Sequence, residues 1–197
     1  QANCHNCTGS RNVIMGFDAG KCLLTSDNTF IGNGAGKYTP SGTNSTYIGA
    51  KAGHNACGDK VVAIGYYAGH GGGTKTGSVY IGSHAGDEAT GSTCAIQIGY
   101  KAGCNVTSGS RNILIGDNLA TTLTTGHCNV LIGSQMDVAS SSTSTTLAIG
   151  CGGNRWIAGT SDFMVGIGTT NPSSRLSVAG DACVSGVTTF AGPGTSN

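Results

Sequence analysis

The sequence predicts an all-β chain: a parallel β-roll, or β-solenoid, built from coils of about 17 residues and assembled as a trimer. Three observations lead there. One phrase recurs: "NTFIGNGAG" at 28–36, "STYIGAKAG" at 45–53, "VVAIGYYAG" at 61–69, "SVYIGSHAG" at 78–86 and "AIQIGYKAG" at 95–103. The glycine of each IG or MG pair falls at Gly16, Gly32, Gly49, Gly65, Gly82, Gly99, Gly116, Gly133 and Gly150, with Gly168 after a break, so the interval stays between 16 and 18 residues. The 197 residues include 35 Gly, 10% charged residues and 3 Pro, yet 38% are hydrophobic, too many for a disordered chain.

A period near 17 is too short for two helices and a turn. It fits one solenoid coil of two short strands and two turns. Coils stacked at the strand spacing of about 4.8 Å give a rod of roughly 45 Å for nine or ten repeats.

Each position of the repeat forms a column. Immediately before the anchor glycine stand Ile31, Ile48, Ile64, Ile81, Ile98, Ile115, Ile132 and Ile149, with Met15 ahead of them. Three before it stand Val13, Thr29, Thr46, Val62, Val79, Ile96, Ile113, Val130 and Leu147. The two columns share a strand face, because side chains alternate. Their β-branched character suits a pleated, buried surface, so this face is assigned to the solenoid core. The column between them, led by Ile14, Phe30, Tyr47, Tyr80, Leu114 and Leu131, then points the other way. An apolar stripe of that length is avoided by soluble monomers. It is therefore assigned to the interface of a homotrimer about the rod axis.

Three and four residues after the anchor come small columns, Ala19 to Ala102 and Gly20 to Gly103. Glycine there suits positive φ or close approach between layers. The other half of each coil, as in "KYTPSGTN" and "DEATGSTC", is polar and absorbs the one-residue length changes, the mark of an exposed turn. The chain divides into repeats over 1–153, a break or cap at 154–164 and a C-terminal segment and tail at 165–197. Beginning at Gln1, it reads as a mature form or a piece of something longer.

The unit "NxxIGxxAG" resembles the head repeats of YadA-like trimeric autotransporter adhesins and the related repeats of phage and algal-virus tail fibres. The likeness covers residues 12 to about 153, although the adhesin repeat is usually shorter. "VGIGTTNPSSRLSVAGDACVSGVTTF" at 165–190 resembles the "VGIGTTxPxxxLxVxG" segment of tail-fibre proteins. The first likeness implies a trimeric left-handed β-roll, and the second favours a fibre over an adhesin head.

Chemistry is sparse. The nine cysteines are an odd number and lack zinc-ribbon spacing. Free thiols are expected for most, with disulfides the alternative and metal binding the least favoured. His54 and His70 occupy one column on adjacent coils, but the rest of that column is mixed and polar, as a solvated turn is. The nine acids are scattered, and no carboxylate pair or Ser-His-Asp grouping stands out. No cofactor, metal or catalytic residue is assigned, and the chain reads as a non-enzyme. With a net charge of +1 and no basic run, it lacks the footprint of a nucleic-acid binder. No apolar run is long enough to insert as a membrane-spanning helix.

The expectation is a structural, tail-fibre-like rod in a virion or at a cell surface, mediating attachment to a host glycan or protein receptor. Trp156, the single tryptophan, sits in the repeat break as a solenoid cap or a receptor contact. Competing readings are a bacterial adhesin head, a filament subunit that binds nothing and a polysaccharide-active enzyme.

Overall fold

A computed structural model describes residues 9–183 and 185. Nine short strands form one parallel ladder: β1 (Val13–Met15), β2 (Thr29–Ile31), β3 (Thr46–Ile48), β5 (Val62–Ile64), β7 (Val79–Ile81), β8 (Ile96–Ile98), β9 (Ile113–Ile115), β10 (Val130–Ser134) and β11 (Leu147–Cys151). Every pair keeps the column register, so Phe30 lies opposite Tyr47, Tyr80 opposite Gln97 and Leu131 opposite Ala148. The chain is thus a β-solenoid of eight full turns, one per repeat interval. The far side of the coil is less regular than two strands per coil. Among the described residues only β4 (Ala56–Cys57) and β6 (Gly73–Thr74) pair as strands there. Elsewhere turn-to-turn hydrogen bonds do the stacking, as in Gly36 N–H to the Ala52 carbonyl (2.9 Å) and Gly53 N–H to that of Ala68 (2.9 Å).

The two faces of the ladder are the reverse of the sequence expectation. Phe30, Tyr47, Tyr80, Leu114 and Leu131 are fully buried inside the coil of their own chain, and half-buried Ile14 packs against them. They are core residues, not interface residues. The isoleucine column faces outward: Ile48, Ile115 and Ile132 are 36–37% exposed, and Ile31, Ile64, Ile81, Ile98 and Ile149 are half-buried. A three-residue strand between two turns encloses a space one side chain wide. Only its central residue points inward, and both flanking residues point out.

The central residue meets two other inward columns. Ala35, Ala52, Ala68 and Ala85 stand three after the anchor; Leu23, Ala56, Ala89, Val106 and Leu123 stand seven after it. Sizes are matched along the axis. Aromatic rings face the Ala-Gly pair of the early coils, whereas Leu114 and Leu131 share their cluster with Leu119 and Met136. Two glycines show what the repeat requires. A Cβ on Gly53 (φ +56°) would lie 2.6 Å from the Tyr47 ring, and one on Gly49 (φ +130°) would lie 2.6 Å from the Gly65 carbonyl oxygen of the next coil.

The asparagine of "NxxIG" seals the coil corner. Asn112 is fully buried; its Nδ2 donates to the Gly126 carbonyl (2.8 Å) and its Oδ1 accepts the Asn129 N–H (2.9 Å). Asn129 repeats the pattern one coil on, with Thr143 and Thr146. The ladder therefore satisfies buried backbone groups where the chain bends.

After Cys151 the chain reverses. β12 (Asn154–Gly159) runs antiparallel to β11, β13 (Val165–Ile167) antiparallel to β12, and β14 (Leu176–Val178) parallel to β13. Ala158 pairs with Ala148 and closes the core end. Trp156 does not cap it: the indole is 66% exposed, beside an irregularity in the β11–β12 register.

Candidate binding surfaces

Three surfaces stand out. The first is the outer face of the ladder, a stripe two residues wide and nine strands long, aliphatic but for Thr29 and Thr46. Parallel sheets are ordinarily covered on both faces. Here one face is covered by the coil and the other, among the described residues, is left partly open, with Met15 61% exposed at one end.

The second is a shallow groove at the reversal, lined by Asn154, Arg155, Trp156, Thr169 and Thr170. Its position is fixed from below. Arg155 Nη2 donates to the Asp137 carbonyl (2.5 Å), tying β12 to the last coil. Burial alone would raise the Asp137 carboxyl, but hydrogen bonds from the Thr121 and Thr122 hydroxyls (both 2.7 Å) and from backbone N–H groups hold it below the usual range. Trp156 thus stands free on a rigid footing, with one arginine and several hydroxyl and amide groups around it. The sequence singled out Trp156 by its rarity, not its neighbours, which come from both β12 and the loop after β13.

The third lies on the turn just after the anchor glycines. Tyr66 and Tyr100 occupy the same position two coils apart, 51% and 49% exposed. Between them His84 Nδ1 contacts one Asp87 oxygen (2.7 Å), and His70 Nδ1 contacts the other (3.2 Å). The Tyr66 ring meets His84 edge-on at 5.4 Å. His54 and His70 do stack, at 5.3 Å, as their shared column implies. Burial, then the neighbouring His70, lowers the His54 pKa. Among the described residues no three His, Cys, Asp or Glu side chains are grouped to hold a metal ion.

The described cysteines, Cys22, Cys57, Cys94, Cys104, Cys128, Cys151 and Cys183, are free; Cys4 and Cys7 lie outside the described residues. Burial pushes the Cys104 thiol up, away from the reactive thiolate. No helix among the described residues is long and apolar enough to cross a membrane. Comparison with family models, with curated proteins and with solved structures gives no match.

Proposed function

We propose that this chain is the rod of an attachment fibre, virion- or cell-surface-borne and of the tail-fibre type, assembled as a homotrimer. The observation that carries this reading is the uninterrupted outward stripe from Met15 to Ile149. A face that is aliphatic over nine strands needs a partner of matching length and pitch. A second and third copy of the same solenoid supply it, and three flat faces close about one axis. In this reading Ile31, Ile48, Ile64, Ile81, Ile98, Ile115, Ile132 and Ile149 make the trimer contacts, and Phe30, Tyr47 and Tyr80 stiffen each strand of the rod. The work is mechanical: stacked coils hold a terminal contact surface, around Trp156, at a fixed distance from the base.

The test is mass in solution by light scattering, with and without reductant. A value near three times 19.5 kDa in both conditions is expected. Substituting Ile64→Lys with Ile98→Lys should yield a folded monomer, since neither side chain enters the coil. A wild-type monomer in both conditions sinks the reading.

A further inference from the structure

We propose that the turn edge running from Tyr66 to Tyr100 is a binding track for an extended, uncharged glycan lying along the rod. This rests on the attachment reading above, to which it adds a ligand class and a second place of contact.

The track is built by the repeat. Tyr66 and Tyr100 each follow an anchor glycine, so their Cβ atoms sit roughly 10 Å apart, twice the strand spacing. The turn carrying them continues the backbone ladder: His84 N–H donates to the Tyr66 carbonyl (2.9 Å), Lys101 N–H to that of Ser83 (3.0 Å) and Asn118 N–H to that of Tyr100 (2.8 Å). The two rings are therefore held in register by the solenoid rather than by a loose loop. A tyrosine ring offers an apolar face to the C–H face of a pyranose and a hydroxyl at its rim. An extended β-linked pyranose chain advances by close to one coil spacing per ring, so rings two apart in such a chain meet tyrosines two coils apart.

What lies between the tyrosines suits sugar hydroxyls. A groove there is lined by His84, Asp87, Glu88, Tyr100, Lys101 and Asn105. Asp87 locks His84 in place, leaving Nε2 on the other side of that ring. Among the described residues neither Glu88 nor Lys101 forms an ion pair; Lys101 Nζ instead lies over the Tyr100 ring, 5.3 Å from its centroid, so the groove holds one unpaired carboxylate and an ammonium kept at the tyrosine. That balance disfavours a polyanion such as nucleic acid and favours a neutral ligand with hydroxyls able both to donate and to accept.

The experiment titrates the assembled full chain with β-1,4-linked glucose and N-acetylglucosamine oligomers, from disaccharide to hexasaccharide, followed by ligand-observed NMR and calorimetry. Saturable binding is expected in at least one series, tightening by about tenfold between disaccharide and tetrasaccharide as the chain comes to span both rings. Tyr66→Ala with Tyr100→Ala should weaken it by about tenfold or more. Tyr100→Ala alone, farther from the His84 contacts, should show a smaller loss in the same direction. No saturable binding in either series, no gain with length, or full binding by a folded double variant overturns the proposal. The mass measurement separates the two ideas: a trimer that binds neither series loses the track and keeps the rod.

Discussion

Phe30 and Tyr47 stack inside the coil with ring centroids 4.6 Å apart and planes inclined by only 12°. The parallel register sets one ring on the other, because equivalent positions of successive coils lie directly above each other. The early core is thus an aromatic column walled by alanine and glycine. Tyr47→Ala should cost about 3–5 kcal/mol, the range for losing a buried ring. Denaturant unfolding of a monomeric outer-face variant measures this without interference from assembly. A loss under about 1 kcal/mol would mean that the stack is not part of the cooperative core.

Gly53→Ala tests the wall of the same column. The added methyl would meet the Tyr47 ring at 2.6 Å, at φ +56°. Left-handed backbone alone is tolerated here, as Tyr67 (φ 57°) and His84 (φ 58°) show. The clash should therefore dominate, at about 1–3 kcal/mol, the scale of overpacking a filled core. Gly34→Ala is the control: it shares the left-handed backbone (φ +63°), but its Cβ meets the His54 ring edge at 3.4 Å and the Lys51 side chain at 3.7 Å, both ordinary contacts. Equal melting temperatures for the two variants would assign the cost to backbone and not to packing.

Gln97 interrupts the core. It is fully buried in the central column between Tyr80 and Leu114, and neither its Oε1 nor its Nε2 has a hydrogen-bond partner. The apolar interior divides there, with Leu23 to Ala89 on one side and Ala102 to Val138 and Ala148 on the other. Replacing an unsatisfied buried amide by a hydrocarbon of similar size removes a desolvation penalty of about 1–3 kcal/mol. Gln97→Leu should raise the melting temperature and sharpen the transition by joining the two clusters. A lower melting temperature would show that the amide is satisfied in solution, by a water or by a partner chain.

How much of this was legible in the residues follows from what a repeat encodes. The anchor glycines give coil length and stacking register directly, because the segment around each of them keeps its length and the one-residue changes fall in the polar turn. The "NxxIG" asparagine was visible only in the coils of Asn12, Asn28, Asn112 and Asn129, and its capping of the coil corner needs the neighbouring carbonyl of Gly126 or Thr143 to be seen. Orientation was not legible. Alternation says that Tyr47 and Ile48 point opposite ways, but both sides are apolar, so hydrophobicity cannot choose between them. The deciding clue lay seven residues after the anchor, where Leu23, Val106 and Leu123 mark the opposite wall of the coil. Ala56, Ala89 and Thr39 dilute that column into what reads as polar turn. The tyrosine track was hidden for a similar reason: Ala50 and Ser83 fill the same position in neighbouring coils, so no run of aromatics appears.

Lys75 supplies a pH test that no sequence pattern announced. Its side chain is fully buried in the turn between β6 and β7, with Nζ donating to the Gly71 carbonyl. Desolvation pushes its pKa down from 10.5 to about 8, while nearby Cys57 acts weakly the other way. Between those two values the unfolded chain holds a proton that the folded chain has released, so stability rises with pH across that window. Below about pH 8 both states are charged and the full penalty applies, at most about 3 kcal/mol for a shift of this size. Tyr47 and Tyr80 set the upper limit of the experiment. Burial raises both above the usual 10.0, so at higher pH the unfolded chain loses phenolic protons first and stability falls again. Denaturation midpoints taken from about pH 7 to 9.5 should therefore climb for the wild type. Lys75→Met should be more stable at neutral pH and level over that range. A wild-type profile as level as that of the variant would mean that the ammonium reaches water, and that the coil opens around Lys75.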